Sequence, residues 1–391
     1  MKFQVKKLVN TLSSDIMRFA QQLIRTKSLT AHEGDLAKLV KNKMLALDYD
    51  DVFVDRIGNV IGIVGDGPTG ILFDSHMDTV DVNQPEDWHY DPFGGEIVDG
   101  KLYGRGSVDM KGSLAAAVFA GHTIKQLGLQ AGKTIYITAS VMEEDYDGET
   151  VYAMCRQWER LPDYAVICEP SGLDLALGHK GRALLKVTTR GVSAHGSAPE
   201  KGINAVYKMR PLLQRVEALN NEMMGQRNET GSIAVTKISS RAESLNAIPT
   251  HCEVYLDRRL VSGEDTACIS AEMDNLLQGM DADWEVYDKH GVSYTGVPVV
   301  LHSFLPSWEI SPDHVLTLAC LKSFKLAFDR DPGLMKWDFC TNGVATAGRL
   351  NIPTIGFGPG DSKKAHTVDE FCETSQIMAA ANFYALLAGC L

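Results

Sequence analysis

Nowhere in the 391 residues does an uninterrupted apolar run reach the roughly 18 residues needed to cross a bilayer, and Met1 to Lys7 leads into a polar amphipathic pattern rather than the apolar core of a secretory leader. The chain is therefore expected in the cytoplasm, with no membrane partner. Basic residues are scarce as well. Against 50 Asp and Glu stand 38 Lys and Arg, a formal charge of −12, and no basic run is interleaved with aromatics, so no nucleic-acid partner is expected. The eight cysteines, at 155, 168, 252, 268, 320, 340, 372 and 390, include no Cys-x-x-Cys pair and read as free thiols rather than disulfides or zinc-thiolate ligands. Gly104-Arg105-Gly106 lacks both the Gly-Lys-Ser/Thr ending and the dinucleotide spacing, which argues against nucleotide binding. Repeats, low-complexity tracts and Pro-rich linkers are missing too, and domain boundaries must be read from texture.

What is present is the material of a folded protein: 45% apolar and 23% charged residues, in a chain longer than one core usually serves, so two domains are expected. Val9, Leu12, Ile16, Phe19, Leu23 and Ile24, then Leu36, Leu39, Val40, Met44 and Leu47, repeat at helical spacing and predict two opening helices. Short β-branched runs follow at 52–54, 59–64 and 71–73, then a small-residue helix over 112–127, a strand over 134–141 and another over 164–168. Alternating strand and helix predicts an α/β fold with a mostly parallel mixed sheet. From about residue 180 the pattern becomes strand, helix, strand, strand, and the alternation returns near 294. The reading is a catalytic domain of residues 1–179 and 294–391, interrupted by an α+β sandwich of residues 180–293.

Five segment ends carry metal-ligating side chains. His76 ends a predicted strand and Asp78 lies two residues on, placed to accept the second imidazole proton. Asp109 precedes the small-residue helix, Glu143 and Glu144 close the strand over 134–141, Glu169 follows the run 164–168, and His366 follows the glycine-rich 356–360. Loops at strand ends are where an open α/β sheet binds ligands. A pair of metal ions needs imidazole and carboxylate ligands from several segments, and this set offers them.

With those residues the chain resembles the aminoacylase and carboxypeptidase family of two-zinc amide hydrolases, which includes acetylornithine deacetylase and succinyl-diaminopimelate desuccinylase. His76-Met77-Asp78, Trp88, Pro92-Phe93, Asp99-Gly100, Gly104 to Gly112, Glu143-Glu144, Glu169-Pro170 and His366 to Glu370 follow its signature in order. The stretches 195–200, 336–343 and 356–360 resemble the bacterial branch named for a link to selenium metabolism.

The resemblance implies one zinc on His76, Asp109 and Glu169 and a second on Asp109, Glu144 and His366, with cobalt or manganese able to use the same ligands. It makes Glu143 the general base and Asp78 the carboxylate that orients His76. The inserted domain becomes a lid and homodimer contact whose His195 reaches an active site to stabilise the oxyanion. Asn246, Arg259, Asn342 and Gly343 become substrate-binding positions. Glu rather than Asp at 169 favours deacylase or carboxypeptidase chemistry. Where many relatives have a Gly/Ser/Thr-rich loop, this chain has the bulkier Asp338-Phe339-Cys340-Thr341-Asn342.

The expected activity is hydrolysis of an amide in a small carboxylate-bearing substrate. An N-acyl amino acid comes first, and a dipeptide or N-carbamoyl amino acid second. A catalytically silent binding protein on the same scaffold is the reading from another class.

Overall fold

One apolar stripe along each opening helix drives the N-terminal packing. In the computed structural model, which describes residues 1–225 and 230–391, α1 (Lys2–Thr11) buries Val5 and Val9, and α2 (Ser13–Arg25) buries Ile16, Phe19, Ala20, Leu23 and Ile24. The stretch expected to form one helix from Val9 is thus two helices, turned at Leu12, whose ψ of 0 lies off the helical value. After α3 (Gly34–Ala46) come β1 (Asp51–Val54), β2 (Val60–Val64), β3 (Thr69–His76), and the short β4 (Ile97–Val98) and β5 (Lys101–Tyr103). The helix α4 (Gly112–Gln126) is rich in Ala and Gly and is buried on nearly every side, the pattern of a helix enclosed by other elements. Then follow β6 (Lys133–Ser140), α5 (Glu143–Tyr146), α6 (Glu149–Cys155), β7 (Tyr164–Ile167) and β8 (Leu175–His179).

At Gly181 the chain enters a second layer system: β9 (Gly181–Arg190), α7 (Ala205–Gly225), β10 (Ser232–Arg241), β11 (His251–Leu260), α8 (Thr266–Leu276) and β12 (Ala282–Val286). Alternate residues of β9 and β11 are buried, so this antiparallel sheet, ordered β10-β11-β9-β12, has one covered face. It has its own core, in which Leu185, Val187, Val254 and Leu256 meet Met209, Leu212, Ile269 and Met273 from α7 and α8.

The chain returns through the hairpin β13 (Asp288–Val292) and β14 (Pro298–His302), then β15 (Phe304–Leu305), which pairs with β9, and β16 (Trp308–Glu309). Last come α9 (Val315–Phe328), β17 (Leu334–Trp337), β18 (Thr354–Gly356), β19 (Phe371–Glu373) and α10 (Thr374–Ala388). The main sheet has nine strands, ordered β1-β2-β6-β3-β7-β18-β8-β16 with β17 beside β8. Its centre, β6-β3-β7-β18, is parallel, and strands run antiparallel at the flanks. This is the mixed, mostly parallel sheet with an inserted α+β sandwich that the sequence predicts, and the sandwich's sheet is antiparallel. Among the described residues no helix is long and apolar enough to cross a membrane.

Candidate metal centre

Three neighbouring parallel strands deliver their carboxyl ends to one place. β3 ends on His76, β6 leads through Val141 and Met142 to Glu143 and Glu144, and β7 leads through Cys168 to Glu169. Asp109 arrives from the turn Ser107–Lys111 that opens α4, and His366, with φ +62, from the loop before β19.

Asp109 lies between the two imidazoles: His76 Nε2 is 2.9 Å from its Oδ1 and His366 Nε2 is 3.2 Å from its Oδ2. His76 Nε2 is also 3.4 Å from Glu169 Oε1 and 4.0 Å from Glu143 Oε2, while His366 Nε2 is 3.1 Å from Glu144 Oε2. Two groups, His76 with Glu143 and Glu169, and His76 with Asp109 and Glu144, have ligand atoms all within 4.8 Å of one another, close enough to share an ion.

Buried carboxylates hold this arrangement from behind. Asp78 accepts the N–H of Glu143 at 2.9 Å and of Glu144 at 3.1 Å, and the Thr30 hydroxyl at 2.9 Å. With its carboxylate so engaged, 3.7 Å from His76 Nδ1, it is the Asp78 carbonyl, 2.9 Å away, that meets that ring nitrogen. Glu370 accepts the N–H groups of Val108 and Asp109 at 2.9 and 3.1 Å and pairs with Arg105 at 2.6 Å, tying the Asp109 turn to the His366 loop. Met142 is held at φ +61, a left-handed conformation that costs a non-glycine residue about 1–3 kcal/mol.

Electrostatically the cluster is an excess of acids, largely buried, beside one half-exposed imidazole, His366. Burial pushes the carboxyls of Glu143 and Glu169 well up, and burial followed by the charge of Asp109 pushes Glu144 up to about 7. Burial would do the same to Asp109, yet the bonds from His366 and His76 hold it low. His366 is raised to about 10 by its bonds to Asp109 and Glu144. Four carboxylates and two imidazoles, with no Lys or Arg among the described residues paired to them, form a donor set suited to divalent cations.

Beside the cluster opens a cavity of about 280 Å³, walled by Phe339, Cys340, Asp147, Arg182 and Arg259. The two arginines are register partners on β9 and β11. Like charges in that position repel, and each is met by a carboxylate, Asp147 at 3.0 Å from Arg182 and Asp257 at 2.8 Å from Arg259.

The other expected substrate residues lie elsewhere. Asn342 is buried and fully engaged: its amide nitrogen donates to Asp74 and to the Ser140 hydroxyl, and its oxygen accepts from Gly148 N–H. Gly343 packs against Trp308, where a Cβ would fall 2.5 Å from the indole nitrogen. His195 and Asn246 are exposed in adjoining loops of the inserted domain, bridged by Gly196 N–H on the Asn246 carbonyl, and neither lines the cavity. Arg182 and Asp147 are cavity residues that sequence reading missed. Arg182 sits within an ordinary strand pattern, and only its register with Arg259 reveals it.

The pattern of Peptidase family M20/M25/M40 matches residues 72–389. The uncharacterized protein YgeY of Escherichia coli (strain K12) is 34% identical over 381 residues, covering 96% of this chain and 94% of its own. An acetylornithine deacetylase of Photorhabdus laumondii subsp. laumondii is 28% identical over 327 residues, 82% of this chain and 79% of its own. Among solved structures, the YXEP protein of Bacillus subtilis, a dinuclear metal binding peptidase from the M20 family, shares the fold with a TM-score of 0.71 at 12% identity, covering 97% of this chain and 98% of its own.

Proposed function

The chain belongs to peptidase family M20/M25/M40, and from that premise we propose that it hydrolyses an amide bond in a small carboxylate-bearing substrate, an N-acyl amino acid first. Dipeptides and N-carbamoyl amino acids are the alternatives, since all three present an amide beside a carboxylate. The observation that carries the reading is the convergence of His76, Asp109, Glu144, Glu169 and His366 at the carboxyl ends of β3, β6 and β7, next to a cavity with two guanidinium groups.

His76, Asp109 and Glu169 would hold one divalent ion and Asp109, Glu144 and His366 the other, with Asp109 shared. Zinc suits this ligand set, and cobalt or manganese would accept it. When bound, the ions supply Lewis-acid polarisation of the amide carbonyl and lower the pKa of water toward about 7.

Glu143 is the general base. It is buried and faces the cavity beside the candidate ligands, so as a carboxylate it can take a proton from attacking water and return it to the leaving amine. Asp78 fixes the Glu143-Glu144 backbone and, through its carbonyl, the His76 ring. Arg259, with Arg182 opposite, holds the substrate carboxylate and so orients the amide.

We place His195, exposed in the inserted domain, at the cavity of a second copy in a homodimer, where it would donate to the developing oxyanion. A monomer by light scattering at micromolar protein would remove that role.

The deciding experiment is amine release from N-acetyl, N-succinyl and N-carbamoyl amino acids and dipeptides by zinc-loaded protein, beside Glu143→Ala. Cleavage of at least one class is expected, with turnover lower by roughly 10²–10⁴-fold in the variant while metal content is unchanged. Metal bound in full with the whole panel intact would overturn the substrate class, and a fully active variant would overturn the role of Glu143.

A further inference from the structure

Three consecutive backbone N–H groups, those of Met142, Glu143 and Glu144, end on two buried carboxylates. Asp78 takes the last two, and Glu33 takes that of Met142 at 2.9 Å. Glu33 stands at the start of α3, far from the centre in sequence, and is fully buried. Its Oε1 also accepts the N–H of Ala31 at 3.1 Å. Both bonded residues are left-handed, Ala31 at φ +67 and Met142 at φ +61, so one oxygen pins two conformations that side chains other than glycine seldom adopt. The second oxygen, Oε2, is buried and meets no hydrogen-bond donor among the described residues.

A carboxylate here is costly. Burial, and then the charge of neighbouring Asp78, push the Glu33 carboxyl up to about 7. An apolar side chain would fill the space without that cost but could not accept the Met142 N–H. Since Met142 follows Val141 past the end of β6 and directly precedes Glu143, its φ sets the direction in which Glu143 and Glu144 leave the strand.

We propose that Glu33 is a positioning residue of the candidate centre, anchoring the left-handed turn at Met142 so that Glu143 and Glu144 face His76 and His366. The roles given to Glu143 and Glu144 rest on the amide-hydrolase reading. The anchoring itself does not.

The test uses the full chain loaded with Co²⁺, in wild type, Glu33→Met and Glu33→Gln. The visible absorption of the bound cobalt and its binding affinity need no substrate, and kcat and KM are added for whichever amide the wild type cleaves. Glu33→Met, which loses the acceptor, is expected to shift the cobalt spectrum, weaken the ion bound through Glu144 by about 10–100-fold and lower kcat with KM little changed. Glu33→Gln keeps an acceptor oxygen and should restore the spectrum, the affinity and most of kcat. A folded Glu33→Met with wild-type spectrum and affinity would overturn the proposal, as would a folded Glu33→Gln as impaired as Glu33→Met. Should Glu33→Met not fold, Glu33→Asp replaces it, since its shorter arm draws the oxygen back from Met142 and is expected to give the same losses; a wild-type spectrum there overturns the proposal. If the wild type cleaves nothing, the cobalt measurements still decide the role of Glu33, and only the substrate reading falls.

Discussion

At the scale of single residues the molecule places carboxylates where water cannot reach them, and Glu33 allows the sign of the effect to be worked out. Its folded pKa, about 7, lies above the ordinary 4.5, so the fold binds this proton more tightly than the unfolded chain does. The resulting stabilisation is complete below pH 4.5 and is lost as pH rises through 7. Glu33→Gln stays neutral throughout, so it should be more stable than wild type by on the order of 3 kcal/mol at pH 8 and by less than about 1 kcal/mol at pH 5, read from urea unfolding at the two pH values. A gain of equal size at both would show that the charge is not the cause. In the cavity, Arg182→Gln removes one of two guanidiniums and is expected to raise KM for a carboxylate-bearing substrate by roughly 10- to 100-fold, the worth of a charged hydrogen bond, with kcat nearly kept. Steady-state kinetics on the same amide with its carboxylate esterified should show no such penalty. The metal-ligating residues were legible as candidates because His76, Glu143, Glu144 and Glu169 follow readable apolar runs, while Asp109 precedes the small-residue helix and His366 follows the glycine-rich 356–360. Glu33 and Arg182 were not, because each gains its meaning from a partner more than 70 positions away, Met142 or Arg259.

At the scale of elements, long strands and helices were legible and short ones were not. The sequence predicts a helix over 112–127 and a strand over 134–141, and the structure has α4 at Gly112–Gln126 and β6 at Lys133–Ser140. The pieces β4, β5, β15, β16 and β19 hold two or three residues each, too few for a period to show, and they exist because longer strands offer them an edge. The inserted domain is fastened by a charge that sequence reading passed over. Arg258 on β11 is 2% exposed and donates to Glu272 of α8 at 3.0 Å and to Glu264 before it. Arg258→Ala leaves those acids without their cation and should destabilise the inserted domain by about 3–5 kcal/mol, measured by chemical unfolding followed at Trp284 of β12, which packs against this core. A loss under 1 kcal/mol would mean that water satisfies the acids instead.

Across the whole molecule, the acids gathered at the strand ends make stability depend on what binds them. Protein saturated with zinc at about 100 times its dissociation constant should gain about 2.7 kcal/mol per independent site over chelator-treated protein, seen as a rise of several degrees in the melting midpoint; identical melts would mean that the cluster holds no ion. The order of strands in the main sheet has a different consequence, one for synthesis. β18, at residues 354–356, lies between β7 and β8, which are complete by residue 179, so the sheet keeps an open slot at its centre until residue 356 has been made. A nascent or truncated chain would present two unpaired strand edges flanking that slot, lined by Ala165, Val166, Ile167 and Ala176, to any neighbouring polypeptide. For this protein the hazardous interval is therefore the time between translating residue 179 and residue 356, and dependence on chaperones should be set by how long that interval lasts.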